Sequence, residues 1–327
     1  IIFWGIGAAM LFNLLSNVIR ALGDSRTPLY FLVLACVLNI ALDLALILRF
    51  GMGPAGAAVA TVVSQLVSGL LCTIYVFRKF PMLRLTRADW NMSRRYLWAH
   101  IRLALPMGFQ ASIIAIGAIL VQFALNRLGA QAVAAFSAAQ KIDMVATLPM
   151  MSFGIAMATY VAQNYGARNP LRIRQGVLQC SLMSVGFSIA VAVVNIIWGP
   201  ELIRLFVGTG EREVVRLAQI YLNINASMYW VLALLFVFRY TLQGLGQSVV
   251  PTFAGVMELA MRAFAAIILA RYLGFAGASM ASPAAWIGSC VPLAIAYFFT
   301  RKRLAQSTKQ PFPPCSGEER ESIRQAA

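Results

Sequence analysis

Asp43 is the residue with the clearest chemical task. It stands late in an apolar run, 28–48, that is long enough to cross a bilayer, and Asn39 lies one helical turn before it on the same face. The preceding apolar run supplies Asn13 and the following one Thr61. A carboxylate, two amides and a hydroxyl are oxygen donors, the type that a hard cation such as Na⁺ takes. The same carboxylate can instead take up and release a proton, so these residues alone leave the ion open. An ionisable side chain inside a membrane span is costly and marks function by default. The bland alternative is a polar contact that glues helices together, and for Asn13 and Thr61 singly it fits as well as ligation.

A second group lies toward the C-terminus: Arg239, Glu258 and Arg262, the last two spaced i, i+4 and able to pair. An internal ion pair that fixes helix packing is the leading reading, with substrate binding or gating as the alternative. Lys141 and Asp143 are read as a local polar contact near the membrane interface. His100, the only histidine, has no second imidazole for a metal site, and the five cysteines stand singly with no pairing pattern. Met144, Met150, Met151 and Met157 could line an adaptable apolar pocket, although ordinary packing serves each as well.

The elements that must hold these groups follow from composition. Of 327 residues 60% are hydrophobic and only 12% charged, with mean hydropathy +0.76. Soluble domains carry roughly 25% charged residues, so this chain has too little polar surface for a water-soluble globule. An all-α integral membrane protein is the reading. The net charge of +16 would point to nucleic acid in a soluble protein, but here the basic residues sit in short runs between apolar stretches and act as topology determinants. No nucleic-acid partner is expected; the partners are membrane lipid and a small organic molecule, and the chain is read as a monomer.

About nine spans meet the length criterion: 1–22, 28–48, 54–77, 101–126, 131–161, 176–198, 217–244, 249–270 and 277–300. The fifth contains Pro149, which suggests a bend. The connections richest in Arg and Lys, around 78–95, 168–174 and 301–303, fall on one side if the spans alternate, and that side is the cytoplasm. The chain then starts outside and ends inside. Trp4, Trp90, Trp98, Trp198, Trp230 and Trp286 mostly sit near span ends, as interfacial anchors do.

An internal repeat organises the spans. Leu22-Gly23-Asp24-Ser25 followed by Pro28 recurs 223 residues later as Leu245-Gly246-Gln247-Ser248 followed by Pro251. Gly53 and Ala55-Gly56-Ala57 recur 221 residues later as Gly274 and Ala276-Gly277-Ala278. Each copy reads as a helix, a tight Gly turn, a Pro-started helix, a short Gly loop and a small-residue helix. Three more spans precede the second copy and none precedes the first. If the halves are equivalent, three helices are missing before Ile1, and the intact protein has about twelve in two six-helix lobes.

These residues resemble the multidrug and toxic compound extrusion family. The likeness rests on Arg20-Ala21-Leu22-Gly23-Asp24-Ser25-Arg26-Thr27-Pro28, on Gly51-Met52-Gly53-Pro54-Ala55-Gly56-Ala57-Ala58 and on Gln163-Asn164-Tyr165-Gly166-Ala167 followed by Arg168-Asn169-Pro170. Measured against that family, the chain runs from the fourth helix to the twelfth. The resemblance implies a cation-coupled antiporter of two lobes. It also implies that Asp43, Asn39, Asn13 and Thr61 form the coupling site of the amino-terminal lobe for Na⁺ or H⁺, with no other cofactor. Another branch of the family places acids on its seventh and tenth helices. Here Gln110 stands at the first of these positions and the second falls near Leu232, so that branch's site is absent. Gln110 joins Arg239, Glu258 and Arg262 as a candidate substrate or gating residue.

The expected organisation is 1–78 as the second half of the amino-terminal lobe, 79–97 as a cytoplasmic linker, 98–303 as the carboxy-terminal lobe and 304–327 as a disordered cytoplasmic tail. The expected activity is export of bulky, often cationic, organic compounds across a bacterial inner membrane. A flippase of related fold for lipid-linked sugars is the rival; it would be expected to line its cavity with several cations, and only Arg239 and Arg262 are candidates. An enzyme is disfavoured, since no nucleophile–base constellation is present.

Overall fold

A computed structural model describes residues 1–83, 94–208 and 211–307, and every regular element in them is helical. Two compact units divide near residue 92, one beginning at Ile1 and ending at Met92, the other spanning Ser93–Pro313. Part of the linker expected at 79–97, and the tail beyond residue 307, lie outside the described residues.

The first unit holds α1 (Ile6–Ala21), α2 (Arg26–Leu44) and α3 (Gly53–Lys79). A single π turn, Ala45–Arg49, extends α2. Helices α1 and α2 each pack along α3, and Phe12, Ile19, Cys72 and Val76 form the small core between α1 and α3. The span expected at 1–22 is helical for only 16 residues, because Ile2–Gly5 form turns. Helix α2 is apolar apart from its first turn and the face that carries Asn39 and Asp43, and it buries only Pro28 and Ala35 within the chain, as does a helix whose other faces meet lipid or further helices.

Asp24 fastens this unit at one end. Its Oδ1 accepts the backbone N–H groups of Arg26 (3.2 Å) and Thr27 (3.1 Å), capping the start of α2. Its Oδ2 accepts from Thr27 Oγ1 (2.8 Å), Tyr75 Oη (2.6 Å) and Lys79 Nζ (3.1 Å). These bonds, led by that from Tyr75, hold the Asp24 carboxyl well below the usual carboxylate range. A carboxyl depressed by folding stabilises the fold above its unfolded value, about 4, and loses that contribution as pH falls toward the folded value. Asp24→Asn is therefore expected to lower the unfolding temperature in detergent by a constant amount from about pH 7 to about pH 5, with the gap closing below about pH 4. A gap that persists undiminished into acid would show that the charge plays no part.

The second unit contains α4 (Arg94–Arg127), α5 (Ala130–Gly166), α6 (Pro170–Ile197), α7 (Gly199–Val207), α8 (Arg212–Ala226), α9 (Tyr229–Gly244), α10 (Val249–Phe264), α11 (Ala270–Ser279) and α12 (Ala281–Ser307). Pro149 sits inside α5 without interrupting it. The span expected at 217–244 is two helices, α8 and α9, bent by 50° at Ala226–Tyr229. The spans expected at 249–270 and 277–300 are placed differently. Helix α10 continues through a π turn, Ala265–Leu269, into α11, whose backbone breaks at Gly274, and the last helix starts at Ala281. Among the described residues, seven helices are long and apolar enough to cross a membrane. The bent pair makes an eighth, and α1 is a shorter apolar helix.

The repeat read from sequence is also a repeat of backbone. Gly23 and Gly246 both take positive φ, +93° and +76°, so that Asp24 N–H reaches back to Ile19 O (3.2 Å) and Gln247 N–H to Leu242 O (2.9 Å). Both copies then insert one π turn before the second Gly. Gln247 bonds Thr300 of the last helix (3.3 Å), as Asp24 bonds Tyr75 of the third.

Candidate functional site

Two groups of intramembrane polar residues stand out, one in each unit. In the first, Asp43 and Asn39 lie half-buried on one face of α2, and Asp43 Oδ1 and Asn39 Nδ2 are both buried with no hydrogen-bond partner. Thr61 Oγ1 donates to Ala57 O (2.9 Å), one turn back in α3. Asn13 is exposed on α1 and donates to Ala9 O (2.8 Å). No hydrogen bond joins any two of these four residues, so the structure brings Asp43 and Asn39 together by helical spacing and leaves Asn13 and Thr61 on their own helices. Both of the latter keep free oxygen lone pairs.

In the second unit a cavity of about 600 Å³ opens between α4, α5, α8, α9, α10 and α12. Its wall contains all four of Gln110, Arg239, Glu258 and Arg262. Glu258 does more than pair along its own helix. Its Oε1 accepts from Arg262 Nη2 at 3.0 Å, and its Oε2 accepts from Arg239 Nη2 at 2.7 Å across from α9. Arg239 also donates to Ser289 Oγ (3.0 Å), and Arg262 Nη1 to Ile114 O (3.3 Å). The three side chains are 5–14% exposed, so the triad is a buried network in which each carboxylate oxygen has its own guanidinium.

The backbone prepares this arrangement. Pro106 inside α4 has no N–H to offer Arg102 O, and Ser248 Oγ donates to that carbonyl instead (3.2 Å). Thr252 Oγ1 reaches Pro106 O (3.0 Å). The proline thus pins α10 against α4. At Gly117 and Gly255 even a Cβ would stand 3.0 Å from Arg262 Cδ and Gln110 Cγ, respectively. Those two glycines let α4 and α10 close on each other with the polar side chains between them. Gln243 Nε2 donates to Gln110 Oε1 (3.4 Å).

Asp143 departs from the expected local polar contact. It is not a local contact: Tyr229 Oη, 86 residues away on α9, donates to Asp143 Oδ1 at 2.6 Å and accepts from Asn195 Nδ2 at 3.1 Å. Asp143 lines the cavity. The signal that would have found it is the one used for Asp43, an acid inside an apolar span. Trp286 is likewise no interfacial anchor: it is 5% exposed, lines the cavity and packs 6.2 Å from the Tyr229 ring. Of the methionines, Met151 faces the cavity, Met150 and Met157 are core residues and Met144 is exposed.

Comparison with known proteins identifies the scaffold. The pattern of the MatE family matches residues 106–268. The probable multidrug resistance protein YpnP of Bacillus subtilis is 33% identical over 247 residues, covering 74% of this chain and 54% of the relative. An FAD transporter of Shewanella oneidensis is 25% identical over 318 residues, 94% of this chain and 68% of the relative. The outward-facing structure of a multidrug resistance MATE family transporter superposes with TM-score 0.82 at 23% identity, covering 92% of this chain and 67% of that one; at that identity the likeness is one of fold. The chain spans about half the length of its 33%-identical relative. It is a multi-pass membrane protein, and its residues 106–268 belong to the MatE family.

Proposed function

We propose that the chain belongs to a cation-coupled exporter of bulky organic compounds, with its coupling site at Asp43. The observation that carries this reading is the pair of buried, unpartnered polar atoms one turn apart on α2, Asp43 Oδ1 and Asn39 Nδ2. A buried acceptor without a donor is costly, and a proton or a Na⁺ ion would relieve it. The Asn39 amide, turned over, would present its oxygen to the same cation, and Thr61 Oγ1 and Asn13 Oδ1 are free to complete an oxygen set. Inward-moving Na⁺ or H⁺ would bind there in the outward-facing state and leave in the inward-facing one, biasing the two lobes while an organic molecule leaves in exchange. One charge moving across 100 mV yields about 2.3 kcal/mol, roughly a fifty-fold concentration ratio, so a single carboxylate is enough for useful coupling. Relatives differ in what their names say they carry, multidrug resistance in one and FAD in another, so substrate class must come from the cavity of this chain.

The test is dye efflux driven by an imposed Na⁺ or proton gradient in proteoliposomes, for the parent and Asp43→Asn. The variant is expected to lose gradient-driven efflux entirely while still inserting in the membrane. Full efflux by Asp43→Asn would overturn the coupling site. Gradient-independent scrambling of lipid headgroups by the parent would favour a flippase instead.

A further inference from the structure

The cavity of the second unit has a one-sided hydrogen-bonding wall. Three of its buried polar atoms lack a partner: Arg239 Nε, Arg262 Nε and Gln110 Nε2. All three are donors, and no wall residue contributes a buried acceptor without a donor. Both oxygens of Glu258 are already engaged, one by each guanidinium, so the triad holds two cations against one anion. The other acid of the wall, Asp143, gives an oxygen to Tyr229 and forms no salt bridge with either arginine. The repeat sharpens the contrast. Counted from the preceding Gly turn, Arg262 stands where Asn39 stands in the first copy. One half presents amide and carboxylate groups at this level; the other presents guanidinium.

We propose that this cavity binds the oxyanion group of an aromatic organic molecule, a carboxylate, sulfonate or phosphate, at Arg239, Arg262 and Gln110. The rings of the molecule lie among Phe136, Phe236 and Tyr240. An oxyanion offers acceptors to three donors that have none within the protein and offsets the single surplus charge of the triad, through charge-assisted bonds of the kind for which guanidinium is suited. A volume of about 600 Å³ suits a molecule of several rings. The same headgroup chemistry could come from a soluble molecule or from an anionic lipid. The inference rests on the transport reading only for treating the bound molecule as cargo, and binding does not require Asp43.

The experiment is equilibrium binding to the full chain in neutral detergent. Fluorescein and rhodamine 6G share a xanthene core and carry opposite charge, and each is titrated by fluorescence anisotropy. Fluorescein is expected to bind saturably and at least about tenfold more tightly than rhodamine 6G, with Arg262→Met weakening it about tenfold or more. Gln110→Leu, which changes no charge, is expected to weaken it several-fold, and Asp143→Asn to tighten it. Arg262→Met leaves Glu258 paired with Arg239, and circular dichroism checks that each variant is folded. Equal or tighter binding of rhodamine 6G overturns the proposal, as does fluorescein binding unchanged in both Gln110→Leu and Arg262→Met. Displacement of fluorescein by phosphatidylglycerol added to the micelles supports the oxyanion site with a lipid headgroup as its source, and retention supports a soluble one. Asp43→Asn is expected to bind fluorescein normally, so loss of coupling and loss of this site are read separately.

Discussion

Glu258→Ala is expected to be among the most destabilising single substitutions in the chain. The carboxylate is 5% exposed and is the shared acceptor of Arg239 and Arg262, themselves 9% and 14% exposed. Removing it leaves two buried like charges with no anion between them, and breaking a buried pair in this way costs about 3–5 kcal/mol. Arg239 keeps Ser289 and Arg262 keeps Ile114 O, but both partners are neutral. The measurement is the midpoint of unfolding on adding a denaturing detergent to the purified protein. The triple variant Arg239→Met, Glu258→Leu, Arg262→Met is expected to recover most of the loss, since well-packed apolar groups often replace a buried ion cluster at little net cost. A Glu258→Ala midpoint equal to that of the parent would mean that water reaches the guanidiniums and that the triad is not a buried network. The variant also separates packing from recognition, because the triple variant should be stable and yet fail to hold an oxyanion.

The parts of this architecture that were legible in the sequence are those set by local chemistry. Span lengths follow from runs of apolar residues, and the repeat is carried by Gly at positive φ and Pro at a helix start, features that a few residues fix on their own. The Glu258–Arg262 pair is visible at i, i+4 spacing. Arg239 is not, because its place beside Glu258 depends on how α9 lies against α10. The bend between α8 and α9 has no Gly or Pro at Ala226–Tyr229 to announce it, and so one span was read where the chain makes two helices. Asp143 and Tyr229 are 86 residues apart, and only the packing of α5 on α9 unites them. At the other candidate site, Asp43 and Asn39 were legible because one helix holds both, whereas Asn13 and Thr61 belong to α1 and α3, whose side chains bond within their own helices.

Gly277→Ala is expected to disrupt the carboxy-terminal half as severely as the loss of Glu258, through backbone geometry in place of charge. A Cβ at Gly277 would lie 2.0 Å from Leu269 O, 2.3 Å from Leu269 C and 2.8 Å from Ala270 N. All three are backbone atoms and none can rotate away. The contact arises because the π turn Ala265–Leu269 is followed by a break at Gly274, φ +57°, ψ −132°, which folds the chain back on the turn. The first repeat has the same closure in looser form, where a Cβ at Gly56 would stand 3.1 Å from Leu46 Cβ. Relieving a 2.0 Å approach requires α11 to move off the π turn, and that shift carries α12, with Trp286 and Ser289, away from the cavity wall and from Arg239. A loss above about 4 kcal/mol follows, the range reserved for clashes with main chain and comparable core defects. The control is Gly186→Ala on α6, where nothing lies within 4 Å of the added carbon; there the substitution is expected to be neutral or to stabilise by up to about 1 kcal/mol through helix propensity. If both alanines leave the unfolding midpoint in place, the π turn and the Gly274 break are not held as tightly as this geometry requires, and the oxyanion cavity loses the support behind its rear wall.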